Sequence, residues 1–236
     1  MLKVKRPEGI FFLPTGLPKH NIERFKKDGS EPWLREHMCE LLAQRPGSVI
    51  SAGTYVGGLL PNLSRCASTV YAWEPVQEHY RCTKQMLRKN RIQNVILHHA
   101  ALGNSRNSLH ITTGATDGVW LGGASSVIEQ DQPVSPLLTT GQFSWRTEEV
   151  VQNCIDDFVY ENLSILQLDL EGYESQALEG AVKTVAQHRP WIIVENPRQE
   201  LDQTIRSWGY TLEQHYAGDS VYKYTKGADH VKETTK

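Results

Sequence analysis

Residues 49–60 read VISAGTYVGGLL. Val49 and Ile50 open a β-rich run, Gly53, Gly57 and Gly58 interrupt it, and Leu59 and Leu60 turn it apolar again. A strand feeding a glycine turn and then a helix is how nucleotide-binding α/β folds begin. The turn lets the backbone approach a ligand closely and aims a helix N-terminus at it. The spacing Gly53-x-x-x-Gly57-Gly58 does not match the G-x-G-x-x-G dinucleotide fingerprint, so on its own the loop reads equally well as a tight structural turn.

The flanking pattern supplies the fold class. Residues 30–47 predict a helix, with Ser30 as cap, Pro32 in the first turn and Leu34, Met38, Leu41 and Leu42 on one face. A short helix over 57–66 follows the glycine turn, and STVYAWEP is a second strand. Val76, Tyr80, Thr83 and Leu87 lie at helical spacing before Asn90, a C-cap, and NVILHHAAL is a third strand. The order β-α-β-α-β implies a parallel sheet wound right-handedly. Farther on, LSILQLDLEG and PWIIVEN read as buried strands, separated by a helix from YESQALEGAVKTVAQHR. After a helix near 198–208, YTLEQHY and SVYKYT alternate as a closing antiparallel pair.

Residues 1–29 look irregular and proline-punctuated, an arm lying on the domain that spans 30–225. Residues 103–150 break the α/β pattern with short strand-like pieces and Gly, Ser and Pro turns, and a long excursion of this kind shapes or covers a substrate site. The tail 226–236 is polar and expected to be flexible.

The 236 residues, 39% hydrophobic and 22% charged, fit one soluble α/β domain. A net charge of −2 disfavours nucleic acid as the main partner. Apolar runs fall short of the roughly 18–20 residues of a membrane span, and Pro14 and Pro18 break the N-terminal apolar patch, so neither membrane span nor signal peptide is expected. Cys39, Cys66, Cys82 and Cys154 are scattered without a C-x-x-C pair. They read as four free thiols in a reducing compartment, hence a cytoplasmic protein.

The acids narrow the ligand. Glu74 closes the second strand, where a carboxylate accepts both ribose hydroxyls of an adenosine lying across the strand ends, and Pro75 turns the chain over the adenine. NAD and S-adenosylmethionine both suit such an acid. Asp169 and Glu171 end the buried strand of LQLDLEGYE, with Glu174 one turn into the next helix, and Glu195 ends IIVEN. Helix N-terminal acids serving the macrodipole account for Glu171 and Glu174 better than for Asp169 and Glu195. Carboxylates at adjacent strand tips orient a sulfonium cation, accept a proton from a hydroxyl or bind a divalent metal. Oxygen-ligand metal sites need more donors than these, so no metal ligand is predicted.

In order, the segments SAGTYVG, AWEP, CIDDF, LDLEGYE with its following EGA, and IIVEN resemble the FkbM-type S-adenosylmethionine-dependent methyltransferases over roughly residues 30–196. The resemblance implies a Rossmann-like class I methyltransferase, an α/β fold with a seven-stranded, mostly parallel sheet, an antiparallel last strand and helices on both faces. It implies that Gly53, Thr54 and Gly57 line the methionine and ribose end, that Glu74 takes the ribose hydroxyls and that Ala100 and Ala101 lie near the adenine. Glu31 would stand near the cofactor and Asp169 nearest the reacting methyl. Two positions depart from the pattern: Ser51 replaces the loop's acid, and Gln167 replaces the lysine that precedes the DxEG strand end. A charged hydrogen bond is worth about 1.5–3 kcal/mol, roughly twice a neutral one, so the serine is expected to weaken cofactor binding by about tenfold or more without abolishing it.

Family members often methylate sugar hydroxyls, so the resemblance implies O-methylation of a sugar, glycan or related small molecule, with Asp169 or Glu195 as base. His98 and His99 are additional proton carriers by residue type, although one of two adjacent strand residues must face the core or a helix. Trp120, Trp145 and the turn 122–126 offer stacking faces and hydroxyls to a carbohydrate, or else pack the excursion onto the sheet. A methyltransferase-like domain that has lost catalysis and serves as a binding module is the rival reading, supported by Ser51 and Gln167 and opposed by the intact Asp169, Glu171 and Glu195. An NAD-dependent reductase lacks both its third fingerprint glycine and a Tyr-x-x-x-Lys relay, and a DNA methyltransferase lacks its Asn/Asp-Pro-Pro-aromatic loop.

Overall fold

The chain starts with an antiparallel hairpin, β1 (Leu2–Arg6) and β2 (Gly9–Leu13), followed by α1 (Lys19–Asp28) and α2 (Pro32–Gln44). Then come β3 (Ser48–Ala52), α3 (Leu60–Cys66), β4 (Val70–Trp73), α4 (Gln77–Lys89) and β5 (Val95–His98). The excursion holds β6 (Ala101–Leu102), β7 (Ser108–Ala115), β8 (Ile128–Glu129), β9 (Gln132–Pro133) and β10 (Trp145–Asn153). The α/β pattern resumes with β11 (Leu163–Leu168), α5 (Glu174–Glu179), α6 (Val182–His188), β12 (Trp191–Glu195), α7 (Gln199–Ser207), β13 (Tyr210–Tyr216) and β14 (Asp219–Tyr224). This computed structural model describes residues 1–29, 31–115, 124–129, 132–133 and 145–225.

The central sheet has seven strands in the order β13-β14-β12-β11-β3-β4-β5. The five strands β3, β4, β5, β11 and β12 run parallel, and β14 runs antiparallel to both β12 and β13. The expected class I sheet with its antiparallel last strand is therefore present. Its central strands are buried on both sides, which is why they read as continuous apolar runs rather than alternating ones. The alternation of side chains still sorts them. Val49, Ile165 and Ile193 pack with the hairpin and α2–α4, whereas Ile50, Leu166 and Ile192 pack with α5–α7.

Several expectations need correction. Residues 1–29 are not irregular, since they form the hairpin and α1. Asn90 caps α4 as expected and also pairs with the hairpin: Ile10 N donates to Asn90 Oδ1 (2.8 Å), and Asn90 Nδ2 donates to Ile10 O (2.8 Å). The third strand stops at His98, and Ala101–Leu102 leave the main sheet to pair with β10. The helix expected after LDLEGYE is two helices broken at Gly180, where a side chain would collide with the Gly103 carbonyl. In the excursion, β7 and β10 form a long antiparallel pair, and β8 and β9 are the short strands expected there. Ser30, Trp120, Gly122, Gly123 and the tail 226–236 lie outside the described residues, as does the side chain of Trp145.

Cys39 and Cys66 are disulfide-bonded, joining α2 to α3, while Cys82 and Cys154 are free. The four-thiol expectation fails because α2 and α3 lie side by side although their cysteines are far apart in sequence, and the inference of a reducing compartment loses its ground. Among the described residues no helix is long and apolar enough to cross a membrane. A cross-link across a sequence separation of 27 restricts the unfolded chain by about 3.5 kcal/mol. Cys39→Ser is thus expected to lower the unfolding free energy in urea by about that amount. Cys66→Ser should match it, and the double variant should cost no more than either alone.

Candidate functional site

The parallel strands deliver their C-terminal ends to one edge of the sheet. Strand order sets Glu195, Asp169, Gly53 and Glu74 along that edge, on either side of the point where the winding reverses between β3 and β11. Ligands of open α/β sheets bind at such a switch point. Here it opens into a cavity of about 430 Å³. Glu31, Ser51, Gly53, Thr54, Glu74, Pro75, Ala100, Ala101, Asp169 and Glu195 all line it.

The glycine turn is pinned against β11. Gly53 has φ +82°, and a side chain there would collide with the Asp169 carbonyl oxygen, so only glycine lets the two strand ends meet. The amides of Gly53 and Thr54 both donate to the Trp73 carbonyl (3.1 and 3.2 Å), tying the turn to β4. Glu74, 3% exposed, braces the turn from the other side. Its Oε2 accepts from Tyr55 N (2.7 Å) and its Oε1 from Val76 N (2.9 Å), with His79 Nδ1 at 3.4 Å. Each carboxylate oxygen keeps a lone pair for a further donor.

Beyond Glu74 the cavity is apolar and aromatic. Trp73 is stacked on His98 (4.5 Å between centroids), and Ala100, Ala101, Ile111 and Val127 complete the wall. Two polar atoms in the lining residues, Thr54 Oγ1 and Trp73 Nε1, are buried without a partner among the described residues. Both atoms are closed off from the cavity itself, so the surface offered to a ligand is the wall and the acid. A flat apolar wall beside an acid fits a nucleoside.

At the other end the acids gather. The Asp169 carboxyl hydrogen-bonds Glu195 and is pushed well above its ordinary value, first by burial and then by the charges of Glu195 and Glu31. Glu31 is pushed up to about 7 by burial and by Glu195, with Arg35 opposing. Asp219 faces Glu195 across the β12–β14 register and is likewise pushed up to about 7, by burial, Glu31 and Glu195. Glu31 carries a left-handed backbone (φ 41°) at the N-cap of α2, where non-glycine residues are strained. Among the described residues no three side chains converge as metal ligands.

Two sequence candidates are placed elsewhere. His99 is exposed and stacks on Tyr80 (4.6 Å), outside the cavity lining, because the strand has ended and the chain is turning toward β6. The assignment of a proton-transfer role to His99 is therefore corrected. Gly57 is also outside the lining. With φ +78° and no room for a side chain beside Met86, it serves the packing of the turn on α4. Glu174 accepts from the amides of Leu170 (2.8 Å) and Gly172 (3.2 Å) and so shapes the turn that follows β11. The CIDDF segment is structural too, with Asp156 accepting from the amides of Lys183 and Thr184 at the start of α6.

A family model described as Methyltransferase FkbM domain matches residues 52–212. The chain belongs to the FkbM methyltransferase family. Nothing among the curated proteins matches it. Among solved structures it is similar to methyltransferase FkbM from Methylobacillus flagellatus KT, with a TM-score of 0.53 and 17% identity over 76% of this chain and 44% of that one. The chain thus spans less than half the length of that FkbM protein, and at this identity the likeness speaks to the fold alone. A precorrin-6y C5,15-methyltransferase from Geobacter metallireducens GS-15 gives a TM-score of 0.48 and 10% identity, covering 90% of this chain and 92% of that one.

This FkbM domain also recruits residues that its sequence did not announce. Leu13, Leu17, Asn21, Arg24 and Phe25 of the N-terminal segment, and Tyr173 beyond β11, line the cavity. Asp219 joins the acids only through strand register. From the excursion, Ser125 of the expected 122–126 turn lines the cavity together with the unannounced Ile111 and Val127, and the excursion docks on α4 where Gln77 N donates to Glu148 Oε1 (2.7 Å).

The acid cluster sets a pH dependence. Between the ordinary carboxyl values of 4.5 and 3.8 and about 7, the folded FkbM domain retains protons on Glu31 and Asp219 that the unfolded chain has released. Stability rises with pH only where the unfolded state binds more protons, so here it falls as pH rises through that window. Thermal melts of the free protein are expected to show a lower midpoint at pH 8 than at pH 5.5. Glu31→Gln should flatten the difference.

Proposed function

We propose that this chain is an S-adenosylmethionine-dependent methyltransferase that methylates a hydroxyl of a sugar, glycan or related small molecule. The observation that carries the reading is the gathering of Glu31, Asp169 and Glu195 in the lining of a cavity that also holds Glu74 beside the apolar wall of Trp73, Ala100 and Ala101. When bound, S-adenosylmethionine supplies an electrophilic methyl on a sulfonium cation. Glu74 accepts its ribose hydroxyls, and the wall of Trp73, Pro75, Ala100 and Ala101 holds the adenine. The acids near Asp169 favour a cation and repel an anionic acceptor.

The chain's own contribution to methyl transfer is alignment and proton removal. A carboxylate held at a raised pKa by burial is a stronger base than one in water, and Asp169 is the raised acid in the lining that is hydrogen-bonded to a second carboxylate. With a sulfonium cation beside it, which favours the ionised form, Asp169 takes the hydroxyl proton, and Glu195 shares it. Ser125 and Tyr173 also line the cavity and offer hydroxyls to the acceptor. The intact acids oppose a module without catalysis.

The test is a labelled-methyl assay against a panel of sugars, amino sugars and sugar phosphates. Neutral sugar hydroxyls are expected to accept label, sugar phosphates to accept little, and Asp169→Asn to lower kcat by about 10²–10⁴-fold with the KM for S-adenosylmethionine little changed. Label appearing only on amines would remove the hydroxyl assignment.

A further inference from the structure

The two positions at which the sequence departs from the family pattern turn out to be the two members of one hydrogen bond. Ser51 and Gln167 are register partners on β3 and β11, the strands that flank the switch point. Both are buried, at 1% and 2% exposure, and both line the cavity. Ser51 Oγ donates to Gln167 Oε1 (2.8 Å). That bond uses the carbonyl edge of the carboxamide and leaves its other edge, the NH₂ group, without a protein acceptor among the described residues. The amide nitrogen is nevertheless not among the sealed, unpartnered atoms, which means that it reaches the cavity. Gln167 also lies two residues before Asp169, on the same face of the strand end, directly below the acids.

We propose that Ser51 and Gln167 form a single recognition device, in which Ser51 fixes the carboxamide and Gln167 donates from its free NH₂ edge to the carboxylate of the methionyl end of the cofactor. This rests on the S-adenosylmethionine reading above. The cofactor's amino-acid end carries both an ammonium and a carboxylate. Glu31, Asp169 and Glu195 suit the ammonium and repel the carboxylate, so the carboxylate needs a donor that the acids do not supply. Gln167 provides one without bringing a positive charge that would neutralise Asp169. A neutral pair at this place therefore recognises an anion without setting a cation beside the acid above it. Ser51 is a positioning residue, acting only through Gln167.

The experiment compares two ligands, S-adenosylmethionine and its decarboxylated analogue, by calorimetry on wild-type protein and on Gln167→Leu, Gln167→Glu, Ser51→Ala and Ser51→Thr. Loss of one donor to a charged group weakens binding by about tenfold to a hundredfold. Gln167→Leu is expected to weaken S-adenosylmethionine binding by that factor and to leave the decarboxylated analogue within about twofold. Ser51→Ala should show a smaller loss of the same selectivity, and Ser51→Thr, which keeps the hydroxyl, should restore it. Gln167→Glu preserves shape and replaces donors by a charge, so it should cost more than Gln167→Leu for the carboxylate-bearing ligand and should favour the analogue. Melts of the free variants separate misfolding from lost recognition. Equal losses for both ligands, or none for either, would overturn the proposal. Wild-type protein that binds neither ligand would instead remove the cofactor reading, and the recognition device with it.

Discussion

Alanine at position 74 is expected to abolish measurable binding of S-adenosylmethionine while leaving the sheet folded. Glu74 is buried at the end of β4 and its carboxylate faces the cavity between the glycine turn and the adenine wall. Two charge-assisted hydrogen bonds to ribose hydroxyls are worth about 1.5–3 kcal/mol each, so losing both costs roughly 10²–10⁴-fold in affinity. A second loss adds to the first. Without the carboxylate, Tyr55 N and Val76 N have no acceptor there, and the turn that carries Gly53 is released from β4 on that side. Glu74→Gln keeps the shape but turns one acceptor into a donor, so its affinity should fall between wild type and alanine. Calorimetric titration of the three proteins reads the effect. An alanine variant that binds within threefold of wild type would exclude Glu74 from the nucleoside site.

Removing Glu8 is expected to have the largest effect on stability. Glu8 sits in the hairpin turn, receives Arg6 Nε (3.1 Å) and Nη2 (3.1 Å), and receives Arg35 Nη1 (2.6 Å) from α2. All three side chains are nearly enclosed. Burial alone would raise the Glu8 carboxyl, but the Arg6 hydrogen bonds and the Arg35 and Arg6 charges outweigh it and leave its pKa below the ordinary value. Breaking a buried ion pair from one side leaves uncompensated charge and costs about 3–5 kcal/mol. Glu8→Ala strands two arginines, so it should lie at the upper end of that range in urea unfolding. Because Arg6 also caps α1 through the carbonyls of Phe25 and Lys26, and Arg35 lies one turn behind Glu31, the loss should reach the cavity wall as well. The sign with pH follows from the lowered pKa: what Glu8 contributes is present above its ordinary value and is lost as pH falls through its folded value. Glu8→Ala should therefore narrow its gap to wild type in strong acid.

The core of the fold was legible because its signals are local. Buried parallel strands announce themselves as unbroken apolar runs: β3, β4 and β12 lie within a residue or two of their expected ends, and β11 starts where expected but stops at Leu168, before the acids of DLEG. Glu74, Asp169 and Glu195 could be read as neighbours because every parallel strand delivers its last residue to the same edge. What escaped depends on contacts between distant segments. The hairpin of residues 2–13 is stabilised by Asn90 and by Arg35, neither of which its own sequence reveals. The Cys39–Cys66 bond needs the packing of α2 on α3. Asp219 enters the acid cluster through antiparallel register with Glu195, which no spacing in SVYKYT indicates. His99 falls outside the site because β5 ends at His98, whereas NVILHHAAL reads as one strand through Leu102, and the chain beyond His98 turns away toward β6. Ser51 and Gln167 were each visible as a departure, but their pairing appears only once β3 lies beside β11.

The central claim is that the cavity at the switch point holds S-adenosylmethionine. The most direct measurement is equilibrium titration of the full chain with S-adenosylmethionine and, separately, with NAD. Saturable one-to-one binding of S-adenosylmethionine, with no heat from NAD, is the predicted result. Binding of NAD alone, or silence with both ligands, would contradict it.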